Sequence, residues 1–303
     1  MSDKFQPKYI KTHETGALKE KISRAYSLME SCRLCGRNCN IDRLKGEPGF
    51  CKIGKEPYIS SSGPHHGEES PLVGRFGSGT IFLTGCNLGC IFCQNYDISI
   101  LGEGSKYTIQ KLALKILYIQ SLGCHNINFV TPTHQMPMIL SAVDIAIEGG
   151  LNVPVIWNCG GYESIEALEI LDGVVDIYMP DFKYWDDTPA RKYSNTPDYP
   201  EVARNALKEM HRQVGDLVVD DRGIAQRGIL VRHLVLPGGL SGTKDFVKWL
   251  AREISPDTYI NIMSQYHPCF KAHDYPEIDR RITGDEYREA RMWAVNEGLR
   301  LDK

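Results

Sequence analysis

The sequence has no long apolar run. Nothing in its 303 residues approaches the ~18 uninterrupted apolar residues that read as a membrane span. The opening segment, MSDKFQPKYIKTHETGALKEK, is polar and charged and lacks the apolar stretch of a secretory signal. The expectation is a cytoplasmic protein without a membrane partner. Charge of one sign is also scarce. The 35 Lys and Arg residues nearly balance 38 Asp and Glu, for a formal net charge of -3. That argues against a general nucleic-acid binder and against a polybasic membrane patch. No low-complexity tract and no fixed-period repeat is present, which removes solenoids and arrays. What remains is an ordinary globular composition, 42% hydrophobic and 24% charged, long enough for one large α/β domain with an appendage or for two modest domains.

Against these absences stand ten cysteines, and they cluster. Four lie between positions 32 and 51, and three between 86 and 93. A disulfide set is not expected in a reducing compartment, so clustered cysteines read as metal sites.

From residue 79 onward the pattern is regular. Short apolar, β-rich runs occur at 80–84, 127–130, 153–157, 174–180, 229–236 and 259–264. Helical periodicity fills the intervals at 108–122, 136–147, 164–171, 189–214, 243–254 and 285–296. Thr108 is the expected N-cap of the first and Gly123 its stop. Six strand–helix units predict parallel strands with right-handed crossovers. They fit either an open doubly wound sheet or an incomplete (βα) barrel, with ligands at the carboxyl ends of the strands in both cases. Residues 1–75 are expected to be irregular apart from a helix near 17–30, which gives two divisions: a Cys-rich metal-binding segment over 1–75 and the βα core over 76–303.

Directly after the first strand stands Cys86-Asn-Leu-Gly-Cys90-Ile-Phe92-Cys93. A C-x3-C-x2-C loop can wrap a cuboidal [4Fe–4S] cluster and supply one thiolate to each of three irons. No fourth cysteine follows closely, so one iron keeps an open position, the mark of a reactive site. The competing reading is a zinc knuckle. This motif, with the aromatic Phe92 before its third cysteine, resembles the radical S-adenosylmethionine superfamily. The run CNLGCIFCQNYDIS is similar to the group of the pyruvate formate-lyase activating enzyme, in a branch whose cysteine-rich segment precedes the barrel. The resemblance spans roughly residues 30–270 and implies an α/β fold, a partial (βα)6 barrel. It implies S-adenosylmethionine bound at the open iron, cleaved after reduction by a low-potential donor such as flavodoxin or ferredoxin. The product, a 5′-deoxyadenosyl radical, abstracts hydrogen from a substrate.

The family's binding positions are carried over one at a time. The activases' Gly-Gly-Glu element after the second strand is replaced by Thr131-Pro-Thr133-His134, so Thr131, Thr133 and His134 are the candidates for the methionyl amino group. Asn158, after the third strand, is a candidate for the carboxylate or ribose. Asp181 and Lys183 match the family's Asp-x-Lys element. The fifth strand resembles Arg-x-x-x-x-Pro-Gly, and alternation allows Arg232 or His233, not both, to face the interior. His267 is a candidate for adenine, and Phe92 completes the cofactor set.

Cys32-x2-Cys35-x3-Cys39-x11-Cys51 suits either a zinc site or a second [4Fe–4S] cluster. Cys159, at a strand end, reads as a buried small residue or as a hydrogen-atom donor, and His65 and His66 as a solvated loop or the cavity mouth. The substrate expectation is a protein or peptide, including the glycine backbone of a partner enzyme. A small metabolite and a non-catalytic iron–sulfur or zinc scaffold are the alternatives.

Overall fold

The computed structural model describes residues 5–302. Its strands are β1 (Tyr58–His65), β2 (Ser78–Leu83), β3 (Ser105–Lys106), β4 (Ile127–Val130), β5 (Val155–Cys159), β6 (Ile177–Pro180), β7 (Val218–Val219), β8 (Ala225–Leu234), β9 (Tyr259–Met263) and β10 (Arg300–Leu301). They form one sheet in the order β10-β9-β8-β6-β5-β4-β2-β1-β3, with β7 on β8. From β2 to β10 all neighbours on this path are parallel, and β1 and β3 add an antiparallel margin beside β2. The parallel strands follow chain order without a reversal. A doubly wound sheet reverses at its switch point; a sheet that winds one way curls into a barrel. Here the barrel is partial, since its end strands β3 and β10 do not pair with each other.

Period-two alternation assigns the two faces. Ile156, Ile177, Met179 and Leu230 share one apolar cluster with Leu72, and this is the barrel lining. Their sequence neighbours Trp157, Tyr178, Ile229 and Val231 belong to the larger core, under the helices. The strands are therefore apolar on both faces, as buried parallel strands must be.

The outer layer is built by α1 (Lys8–Glu14), α2 (Ala17–Glu30), the short α3 (Ser70–Val73), α4 (Ile109–Ser121), α5 (Met136–Glu148), α6 (Ile165–Leu171), α7 (Asp187–Ser194), α8 (Tyr199–Val214), α9 (Thr243–Glu253) and α10 (Gly284–Asn296). Thr108 caps α4, accepting from Lys111 N at 3.1 Å. No helix among the described residues is long and apolar enough to cross a membrane.

Two expectations are corrected. The interval 189–214 is not one helix. Asn195 adopts a left-handed conformation (φ 51°) and ends α7, and Pro200 opens α8, where proline costs no backbone bond. Nor is 1–75 irregular beyond α2. α1 is anchored by Asp176, whose carboxylate accepts from Lys8 N at 2.9 Å and Val155 N at 3.0 Å. β1 pairs with β2 along six residues. Its sequence, YISSSGPH, hides it: β3 covers only Tyr58 and Ile59, so the rest of β1 runs along an open edge, which tolerates Ser, Gly and Pro that an interior strand would not.

Candidate functional site

β2 ends at Leu83, and Gly85 turns the chain into the cysteine loop. Gly85 has φ +85°, and a Cβ there would lie 2.7 Å from the Cys51 carbonyl oxygen, so only glycine fits. Cys86, Cys90 and Cys93 follow. Each sulfur has a hydrogen-bonding neighbour. Leu88 N donates to Cys86 Sγ at 3.3 Å, Ser194 Oγ donates to Cys90 Sγ at 3.0 Å, and Ser99 Oγ lies 3.1 Å from Cys93 Sγ. Ile91 N donates to Tyr193 O, and Lys271 N to Ile91 O, fixing the loop at both sides. Burial, then the neighbouring Cys90, pushes the Cys86 thiol up to about 12, and the same two causes raise Cys93. Thiols raised as those of Cys86 and Cys93 are ionise more readily beside a cation, which iron would supply. The donor set fits a [4Fe–4S] cluster.

Facing this loop, four of the expected residues meet at the strand ends. Asp181 Oδ1 accepts from Arg232 Nε at 2.8 Å, and its Oδ2 accepts from Lys183 Nζ at 2.6 Å. Arg232 Nη2 donates to Asn158 Oδ1 at 2.8 Å. Burial alone would raise the Asp181 carboxyl, but the Arg232 and Lys183 cations outweigh it and hold it below its usual range. Burial works against the Lys183 ammonium, but Asp181 and then Cys90 outweigh that and raise it. Asp181, Lys183 and Arg232 are therefore charged, and the neutral Asn158 amide completes the array as an acceptor. Of the pair on the fifth barrel strand, Arg232 faces the lumen. His233 is buried on the other face, between Phe182 O and Thr243 Oγ1. Thr131, next to this array, donates its N–H to Asn158 O at 2.8 Å from a positive φ of 57°. That is strained for a β-branched residue.

The remaining expected positions lie elsewhere. Thr133 donates to the buried Glu163 at 2.6 Å. The His134 ring bonds Thr84 O at 2.8 Å, and burial pushes it down to about 4. Neither joins Asn158 and Arg232; His134 borders the N-terminal cysteines instead. Phe92 packs edge-on against Tyr184, Tyr193 and Tyr266, supporting the loop from below. His267 Nδ1 lies 3.2 Å from Gln94 Nε2, beside Cys93. Cys159 is buried on the outer face with Trp157. His65 is exposed and meets the Phe82 ring edge-on at 5.7 Å. Cys32, Cys35, Cys39 and Cys51 are brought around one small void.

Sequence reading missed the acidic lumen. Glu68 Oε2 lies 3.7 Å from Arg232 Nη1. Glu69 Oε1 accepts from Asn261 Nδ2 at 3.0 Å, while its Oε2 and both amide atoms of Asn128 are buried without a partner among the described residues. Asn128 is in register with Ile156, on the lining face. The only signal for Glu68 and Glu69 is two adjacent acids in a loop, which normally means solvent. A separate cavity of about 790 Å³ opens between Cys86, Ser99 and Phe270 on one side and Cys51, Lys52 and Lys55 on the other.

Three comparisons place the chain among known proteins. The model of the radical SAM superfamily matches residues 80–221, from the first barrel strand to the end of β7. An uncharacterized protein of Methanocaldococcus jannaschii is 33% identical over 291 residues, covering 93% of this chain and 79% of that protein. The crystal structure of methylornithine synthase superposes with a TM-score of 0.41 at 12% identity, over 73% of this chain and 70% of that one. The matched span contains all three loop cysteines together with Asn158, Asp181 and Lys183, and residues 80–221 form a radical SAM superfamily domain.

Proposed function

We propose that this protein abstracts hydrogen from a protein or peptide substrate, in the manner of the pyruvate formate-lyase activating enzyme group. Bound on Cys86, Cys90 and Cys93, a [4Fe–4S] cluster supplies the reductive cleavage of S-adenosylmethionine that is general to the family. The other work falls to the chain. The observation that carries the reading is the charged array of Asn158, Asp181, Lys183 and Arg232 at the strand ends, facing the cysteine loop. Lys183 and Arg232 offer cationic donors to the methionyl carboxylate, Asp181 holds both in place, and Asn158 and Thr131 position the same rim. Phe92 and its tyrosine neighbours keep water from the loop's underside. Such a site is preorganised, so little reorientation is needed when the cofactor arrives.

A barrel left open between β3 and β10 admits a loop of another protein, which supports glycyl-radical activation as one form of this function. The electron comes from a low-potential flavodoxin or ferredoxin, in the cytoplasm. A small polar metabolite is the second reading. It is favoured by the Asn128 amide and Glu69 oxygen in the lumen, which have no partner among the described residues, since buried polar atoms without partners are costly unless a guest pairs them.

The test is anaerobic reconstitution with iron and sulfide, reduction by dithionite, and assay of 5′-deoxyadenosine with S-adenosylmethionine present. Formation of 5′-deoxyadenosine, lost in Cys86→Ala, Cys90→Ala and Cys93→Ala, is the expected result. Cleavage that survives any of these substitutions overturns the assignment. Adding a peptide fraction or a small-molecule fraction of cell extract, and asking which one accelerates cleavage, separates the two substrate readings.

A further inference from the structure

The N-terminal cysteines form a second group, apart from Cys86, Cys90 and Cys93. Cys32, Cys35, Cys39 and Cys51 all border one small void, together with Arg37, Arg43 and Asn87. A tetrahedral zinc site closes four sulfurs at ~2.3 Å from one ion. A cuboidal cluster keeps its thiolates farther apart, one per iron. Among the described residues, no three His, Cys, Asp or Glu side chains converge on a point that a single ion could occupy. The four N-terminal thiols border one void, and neither they nor Cys86, Cys90 and Cys93 close on a single-ion position among the described residues.

Arg43 adds a second observation. It is 1% exposed, and its guanidinium lies 3.7 Å from Cys32 Sγ. Its other bonds go to the carbonyls of Ile53, Gly54 and His134 at 2.7–3.0 Å. Among the described residues it pairs with no carboxylate. A buried cation wants an anion, and a metal centre carrying four thiolates is anionic.

This centre touches the catalytic loop directly. Arg37, midway between Cys35 and Cys39, donates to Asn87 O at 2.8 Å and Leu88 O at 2.7 Å, both between Cys86 and Cys90. Asn87 itself borders the N-terminal void. The Cys51 carbonyl packs on Gly85, next to Cys86, and the Phe50 ring covers Gly89. Arg37 in turn lies 3.8 Å from the Phe50 ring centroid. No layer of other residues separates the two cysteine loops.

We propose that Cys32, Cys35, Cys39 and Cys51 hold a second [4Fe–4S] cluster, seated back to back with the catalytic loop and in electronic contact with the cluster there. The contact part rests on the radical SAM reading of Cys86, Cys90 and Cys93; the identity of the N-terminal metal does not. The test uses the whole chain, isolated and reconstituted without oxygen, with iron, sulfide and zinc counted in one sample. About eight iron and eight sulfide per chain, without zinc, is the expected count for two cubanes. About four iron with one zinc, or four iron and no other metal, overturns the proposal. The Cys86→Ala, Cys90→Ala, Cys93→Ala triple variant should keep about four iron while losing all 5′-deoxyadenosine formation. This count separates failure here from failure of the catalytic assignment. Electron paramagnetic resonance of the dithionite-reduced wild-type protein should show signals broadened by interaction between two reduced clusters. Two sharp, independent signals would overturn the contact.

Discussion

Arg232 is the residue on which the strand-end array converges. It holds Asp181 and Asn158 directly and stands beside Glu68. Arg232→Met should leave Asp181 to Lys183 alone and strip Asn158 of its donor. Removing one member of a buried charged network costs about 3–5 kcal/mol, read as a lower urea midpoint, and cleavage of S-adenosylmethionine should fall with it. Arg232→Lys keeps the charge without the planar fork. It should recover part of the stability and less of the cofactor binding, and equal recovery of both would argue that the guanidinium has no binding role. Alternation limited the lumen to one of Arg232 and His233, and the structure chose Arg232 by placing His233 between Phe182 and Thr243 on the opposite face. Glu68, Glu69 and Asn128 were not legible in this way. Nothing local distinguishes an acid that folds into a barrel from one that meets water.

At the scale of elements, two contacts can be tested separately. Thr108→Ala removes the cap of α4 and should cost about 1 kcal/mol with no change in metal content, measured by thermal unfolding. Asp176 ties α1 to the start of β5, and burial pushes its carboxyl from 3.8 up to about 7. A raised carboxyl favours its neutral form in the fold. Its contribution is complete below the unfolded value and is lost as pH rises from about 4 to 7, then stays level. Wild-type stability should therefore carry a downward slope across that interval, on the order of a few kcal/mol. Asp176→Asn should flatten the slope. It should also lower stability by about 1 kcal/mol where Asp176 is neutral, because one of two backbone donors loses its acceptor. An unchanged slope in the urea midpoint would show that Asp176 does not titrate there. Most elements with strong periodicity were readable. β1 was not, because its polar, glycine- and proline-containing sequence is compatible with a strand only at a sheet margin. The break between α7 and α8 turned on one left-handed Asn195, which periodicity does not register.

For the molecule as a whole, Arg43 joins the N-terminal segment to the barrel. It reaches carbonyls at 53 and 54 and another at His134, after β4. Arg43→Met fills similar space but leaves three carbonyls without that donor. It should lower overall stability by about 3 kcal/mol and reduce metal bound at Cys32, Cys35, Cys39 and Cys51, while Cys86, Cys90 and Cys93 keep theirs. Metal analysis combined with thermal unfolding checks both parts. Equal loss at the two sites would mean that Arg43 supports only the general fold.

By itself the sequence determined the three-cysteine loop, the six βα units and the grouping of cysteines into two sets. These are properties of spacing along the chain: ligands for one cluster must lie within a few residues, and strand and helix periods are local. Tertiary structure decided the rest. It chose a barrel over a doubly wound sheet, because only strand order separates them. It brought Asn158, Asp181, Lys183 and Arg232 together, and it turned Thr133 and His134 away from them. It placed Glu68 and Glu69 in the lumen and set the two cysteine loops back to back. Each of these depends on contacts between residues tens to hundreds of positions apart, and burial, charge pairing and close packing at that range exist only after the chain has closed on itself.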